Sequence, residues 1–248
     1  MAQWVYRRTH CPIFAGLLVG VLLGTKYVHR RSPLSVLTGA PKFRWSHAAK
    51  GAGIWFAILT VMEVMSYIAE PEMYHFQFEA VPFFLCLLVA VSVLPLQTSA
   101  EEVLLRGYLM QQTSLLSAYR WIPVLVTAVI FGLLHGGNPE VVQYGLIKSM
   151  ALYIGMGLFF GLTVAIDDGL ELALGMHYIN NFYALVFVGY QGSVFDGTPT
   201  LFMKQSEDLT TVSVVSNLIL MFGVLLLFKR IFRWPGFGHL FTKMRIPE

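Results

Sequence analysis

Runs of apolar residues about as long as a bilayer's hydrocarbon core is thick leave this chain one kind of fold. A helix crosses a membrane with roughly 20 apolar residues, within a range of about 17–25. Segments of that kind stand at 52–69, 80–96, 141–166, 169–190 and 209–232, with marginal or shorter ones at 12–28 and 122–134. Only 12% of the 248 residues are charged and 56% are hydrophobic, whereas a soluble domain carries about 25% charged residues. One more helix, 98–116, interrupts the apolar series with charge. The expectation is an all-α polytopic membrane protein. It is a bundle of about eight transmembrane helices around an intramembrane polar cavity, a single integral-membrane domain over 1–248 with its motif-bearing core at about 80–190.

Arg7 and Arg8 precede the first apolar run as in a signal peptide, yet the run ends Leu23-Gly24-Thr25-Lys26 with no small-residue cleavage site. It reads as a retained first span. Lys26, Arg30, Arg31, Lys42, Arg44 and Lys50 make loop 26–50 basic, and Lys229, Arg230, Arg233, Lys243 and Arg245 do the same for the tail. Positive charge marks cytoplasmic loops, so both are expected there, with the acidic link 70–79 and loop 191–208 facing outward. Seven segments after the basic loop would instead put loop and tail on opposite sides. The conflict lifts if one segment, the motif helix, enters the bilayer only part way. Cys11 and Cys86 fit neither a disulfide framework nor metal-ligand spacing, and are expected as free, lipid-buried thiols.

Against this background Glu101-Glu102-Val-Leu-Leu-Arg106-Gly107 is conspicuous. Charged residues inside apolar segments are costly and usually functional. Residues four apart share a helix face, so Glu102 and Arg106 can pair while Glu101 points about 100° round the helix. Thr98 or Ser99 is the expected N-cap, with the carboxylates in the first turn, where the helix dipole favours negative charge. Two other segments offer partners. Phe131 and His135 end the fifth helix at a strong stop, His135-Gly-Gly-Asn-Pro139. His177 and Asn181 share one face of the seventh; together they can hold a developing oxyanion, or simply glue helices together.

Each motif alone reads as structural: an ion pair, a packed ring, a satisfied histidine. Together they bring polar groups from three apolar segments, and such groups are expensive when unpaired. One shared cavity accounts for all of them. A carboxylate beside a histidine can deprotonate water, and donors across the cavity can stabilise a tetrahedral intermediate. No serine or cysteine occupies a motif position as a nucleophile.

In content and order these motifs resemble the CPBP family of CAAX proteases and bacteriocin-processing enzymes, also called the ABI family, with its pattern EExxxR, FxxxH, HxxxN. The resemblance implies an intramembrane endopeptidase. Glu101 would be the general base and His135 its assistant. Glu102, Arg106 and Phe131 would support them, and His177 with Asn181 would form the oxyanion side. Glu101, His135 and His177 could ligate zinc, but HExxH is absent. Glutamate catalysis without a cofactor is therefore favoured over a metal type. The expected partner is a membrane-anchored peptide or protein, prenylated or leader-type, reached through the lipid bilayer; no nucleic acid is expected. The location would be a bacterial plasma membrane, or the endoplasmic reticulum in a eukaryote. Two alternatives stand beside this: a proton-coupled transporter, for which no inverted repeat is visible, and a non-catalytic scaffold or immunity factor.

Other residues carry weaker signals. Glu63, mid-span, is a functional candidate or pairs with a distant polar group. Asp167, Asp168 and Glu171 cluster at a helix start as capping groups. Gly157 and Gly161 have small-xxx-small spacing for close helix packing. His10, His29, His47, His75 and His239 suggest nothing specific.

Overall fold

A computed structural model describes residues 11–117, 119–205 and 208–243, with the backbone alone at Cys11. The expectations for Arg7, Arg8, His10, Arg245 and the Cys11 thiol lie outside the described residues. Helix α1 (Cys11–Leu23) runs on through a π-helical turn, Gly24–Val28, and a 3-10 turn at Pro33–Val36 leads to α2 (Trp45–Ala69). After strand β1 (Tyr74–Phe76) come α3 (Ala80–Ser92), α4 (Leu94–Glu102), a π-helical stretch Val103–Leu109 and α5 (Met110–Ser114). Then follow α6 (Trp121–Leu134), α7 (Pro139–Tyr144), α8 (Leu146–Asp167), α9 (Glu171–Val186), β2 (Val188–Tyr190), β3 (Phe202–Lys204) and α10 (Thr211–Ile231).

Among the described residues, four helical runs are long and apolar enough to cross a membrane: Trp45–Ala69, Ala80–Ser114, Leu146–Asp167 and Thr211–Ile231. Pro12–Val28 and Trp121–Leu134 are shorter and apolar. The protein is an all-α polytopic membrane protein.

The run Ala80–Ser114 joins two segments that the sequence separates at Pro95. Proline lacks an N–H and interrupts the ladder, and Val93 marks the break at φ −102°, after which the helix resumes at Leu94. A 35-residue run is the result. Thr98 is therefore mid-helix, its hydroxyl donating to the Leu94 carbonyl at 3.0 Å rather than capping anything. Glu101 and Glu102 stand in the last turn of α4, not the first. The helix dipole does not hold them there.

This joining also removes the conflict over orientation. After the basic loop, α2, the Ala80–Ser114 run, α6, α8, α9 and α10 make an even number of passes, so loop and tail share one end of the bundle. The contacts agree. Arg44, just before α2, meets Asp167 at 3.0 Å and Glu171 at 2.7 Å, and Trp234, beyond α10, donates to Asp167 at 2.7 Å. His47 adds a 3.0 Å contact to Asp167. Asp167 and Glu171 are thus buried members of an ion-pair network rather than simple caps. The Arg44 guanidinium is held above its ordinary value, first by its hydrogen bond to Glu171.

Gly145, at φ +84°, separates α7 from α8 and divides the expected sixth helix. A Cβ at Gly157 would meet the Ala128 backbone at 2.8 Å, so α8 lies close against α6 as the glycine spacing predicts. Cys86 is 2% exposed and its thiol meets the Leu185 carbonyl at 3.6 Å, which buries it in protein rather than lipid. At the opposite end from the basic loop, the short strands form a sheet of order β1-β3-β2, antiparallel between β1 and β3 and parallel between β2 and β3. Glu63 belongs to this region, accepting from Tyr74 at 2.7 Å and from Tyr190.

Candidate active site

The site begins where α4 gives way to the π-helical stretch, a distortion frequent at functional positions. Arg106 lies within that stretch and donates from Nη1 to Glu102 Oε1 at 2.8 Å, with both side chains fully buried. Its Nη2 reaches the Gly157 carbonyl at 3.2 Å. The close approach of α8 that glycine permits is what brings this carbonyl within range. Phe131, from α6, lies under the guanidinium at 4.6 Å, and Phe160, from α8, at 5.6 Å. Two rings, a carboxylate and a carbonyl therefore fix Arg106, and Arg106 in turn fixes Glu102.

His177 comes from α9 and joins the two glutamates. Its Nδ1 meets Glu102 Oε1 at 2.8 Å, and its Nε2 stands 3.8 Å from Glu101 Oε2. An ionised carboxylate only accepts, so Nδ1 carries the proton towards Glu102 and Nε2 is turned to Glu101. Phe160 stacks on the imidazole at 5.1 Å. Glu101 also accepts from Gln97 at 3.3 Å and keeps 18% of its side chain accessible, whereas Glu102 has none. The carboxylate left over by the i, i+4 pair is the accessible one.

His135 terminates α6, and its Nδ1 donates to the Phe131 carbonyl at 2.7 Å. The neutral ring then offers Nε2 as an acceptor. Phe131 and Tyr153 contact the ring at 4.3 and 4.8 Å. His135 and His177 line one cavity of about 210 Å³, together with Phe131, Tyr153, Phe160, Asn180 and Asn217.

Asn181 is placed differently from its motif partner. Its Oδ1 accepts from Asn180 Nδ2 at 3.2 Å, and Asn180, not Asn181, is on the cavity lining. Asn180 Oδ1 accepts in turn from Trp55 of α2 at 3.3 Å. Among the described residues, this chain of bonds leaves the Asn181 amide nitrogen with both its donors. Sequence reasoning misses Asn180, Trp55 and Phe160. Asn180 adjoins the motif asparagine but carries no spacing signal, and an aromatic residue in an apolar helix reads as packing.

The structure thus brings Glu101, Glu102, Arg106, Phe131, His135 and His177 together and sets Asn181 beside them through Asn180. Residues 78–183, which contain all these groups except Trp55 and Asn217, match the family model described as type II CAAX prenyl endopeptidase Rce1-like. Over this stretch, less than half of the chain, the protein is similar to the Rce1-like family. The chain is also 29% identical over 191 residues to the uncharacterized protein YyaK of Bacillus subtilis (strain 168), an alignment covering 77% of this chain and 64% of that protein. The chain therefore spans less than two thirds of that relative's length. No solved structure matches it. Among the described residues, no group of three or more His, Cys, Asp or Glu is arranged to hold a metal ion.

Proposed function

We propose that the protein is an intramembrane endopeptidase that hydrolyses a peptide bond in a membrane-anchored substrate, prenylated or leader-type. The observation that carries this reading is the meeting of Glu101 with His177 Nε2 at 3.8 Å, beside a cavity that His135 also lines. Glu101 takes a proton from water as the hydroxide adds to the scissile carbonyl carbon, and the tetrahedral intermediate carries the negative charge on oxygen. As the imidazolium, with Nδ1–H on Glu102, His177 donates to that oxygen from Nε2, and the Asn181 amide, set beside the cavity through Asn180, is the second donor. The proton taken by Glu101 passes to the leaving nitrogen, with His135 Nε2 as its assistant, and the C–N bond breaks. Glu102 and Arg106 hold His177 in place and take no proton. No bound metal enters these steps.

A membrane-anchored substrate suits a site built between apolar helices, because its anchor remains in lipid while the scissile bond enters. The compartment follows the source, a bacterial plasma membrane or the endoplasmic reticulum of a eukaryote. The test is cleavage by the purified protein in bilayer discs of two peptides, one farnesylated near its C-terminus and one leader peptide carrying an apolar anchor. Cleavage of either, abolished by Glu101→Gln, is the expected result and names the substrate type. Turnover of neither by folded protein, with proton-coupled uptake into vesicles instead, would replace the peptidase by the transporter.

A further inference from the structure

A second, larger cavity of about 470 Å³ meets the motif only at Arg106 and Gly107. It opens at the end of the bundle that carries the basic loop, among the turn Pro33–Val36, the end of α5, the start of α6 and the connection from α8 to α9. Arg31, Arg106 and Arg120 line it, against one carboxylate, Asp168. That carboxylate already acts on Arg44. Arg106 is paired with Glu102, whereas the structure gives Arg31 a neutral partner, the Gln111 oxygen at 3.2 Å. Arg120 Nε, Arg106 Nε and Ser35 Oγ are buried and, among the described residues, have no hydrogen-bond partner.

Buried donors without acceptors are costly. Three arginines against one carboxylate give this space a net positive lining, with unpartnered donors of Arg120 and Ser35 behind it, and an anion held there accounts for both. Guanidinium forks match phosphate oxygens, and a basic pocket between helices at the positive end of a membrane protein is suited to an anionic headgroup. We propose that this cavity is a phosphate-binding site, held by Arg31, Arg120 and Ser35 and reaching the back of Arg106. Its occupancy would then be felt at the guanidinium that fixes Glu102, without any contact with the peptide substrate. Binding does not depend on the peptidase reading, and its test uses no cleavage.

The purified full chain in neutral detergent would be titrated with phosphatidylglycerol, with phosphatidylcholine and with inorganic phosphate, following bound lipid by native mass spectrometry and the unfolding midpoint by fluorescence. Phosphatidylglycerol retained above phosphatidylcholine assigns the site to a lipid headgroup. Stabilisation by inorganic phosphate alone assigns it to a free phosphate. In either case Arg120→Gln should weaken binding about tenfold or more, as expected for loss of a charge-assisted pair. Arg31→Gln, at an exposed position, should weaken it as well, and Arg30→Gln, which does not line the cavity, should leave it unchanged. Neither anion binding, or Arg31→Gln and Arg120→Gln binding like the unaltered protein, would overturn the proposal.

Discussion

Replacing Arg106 by alanine should destabilise the fold more than any other single change in the motif helix. The side chain is 1% exposed and Glu102 is 0% exposed. Alanine would leave that carboxylate buried with His177 as its remaining partner and would strip the Gly157 carbonyl of its donor. Breaking a buried ion pair from one side costs about 3–5 kcal/mol. The lost hydrogen bond, at about 1 kcal/mol, and the ring contacts with Phe131 overlap with that figure rather than add to it. Removing both charges should cost less, because no uncompensated ion remains. The double variant Glu102→Gln/Arg106→Ala should therefore regain a large part of the loss, giving a coupling energy of about 1–3 kcal/mol in a double-mutant cycle closed by the single variant Glu102→Gln. Reversible unfolding in mixed micelles measures all four proteins. An Arg106→Ala variant as stable as the unaltered protein, or a double variant as unstable as the sum of the singles, would refute the reasoning.

Exhaustive chelation and dialysis should leave peptide cleavage unchanged; activity lost on chelation and restored by zinc alone would show that Glu101, His135 and His177 serve as ligands. Asn181→Ala should lower kcat about 10²–10³-fold, the cost of one oxyanion donor. Asn180→Ala should have a smaller effect in the same direction, with KM little changed, because it only orients Asn181; a loss from Asn180→Ala as large as that from Asn181→Ala would make Asn180 the donor.

The pair Glu102–Arg106 is legible in the sequence because i, i+4 spacing is a property of the helix alone. Its third member is not. His177 lies 75 residues away from Glu102, and its spacing to Asn181 points instead to an oxyanion pair on one face. The ion-pair network of Arg44 with Asp167 and Glu171 is hidden for the same reason, since it spans more than 100 residues. Near a helix start the acidic residues resemble caps until the partner is seen. Pro95 reads as the end of a span, and only the packing of α3 and α4 shows that the helix resumes beyond it. The strands have three residues each, too few for alternation to register. Glu63, mid-span in the sequence, proves to be tied to Tyr74 and Tyr190 at the sheet end. What the sequence displays is whatever one helix can encode alone; what it conceals is decided between helices.

The most direct measurement of the central claim is hydrolysis of a membrane-anchored peptide by Glu101→Gln. Glutamine keeps the shape of the side chain and its reach towards His177 while removing its capacity to take a proton from water. The variant should unfold at the same midpoint as the unaltered protein and cleave with a kcat lower by at least about 10²-fold, the contribution of a positioned general base. Cleavage by folded Glu101→Gln at close to the unaltered rate would contradict the assignment of Glu101 as the residue that activates water.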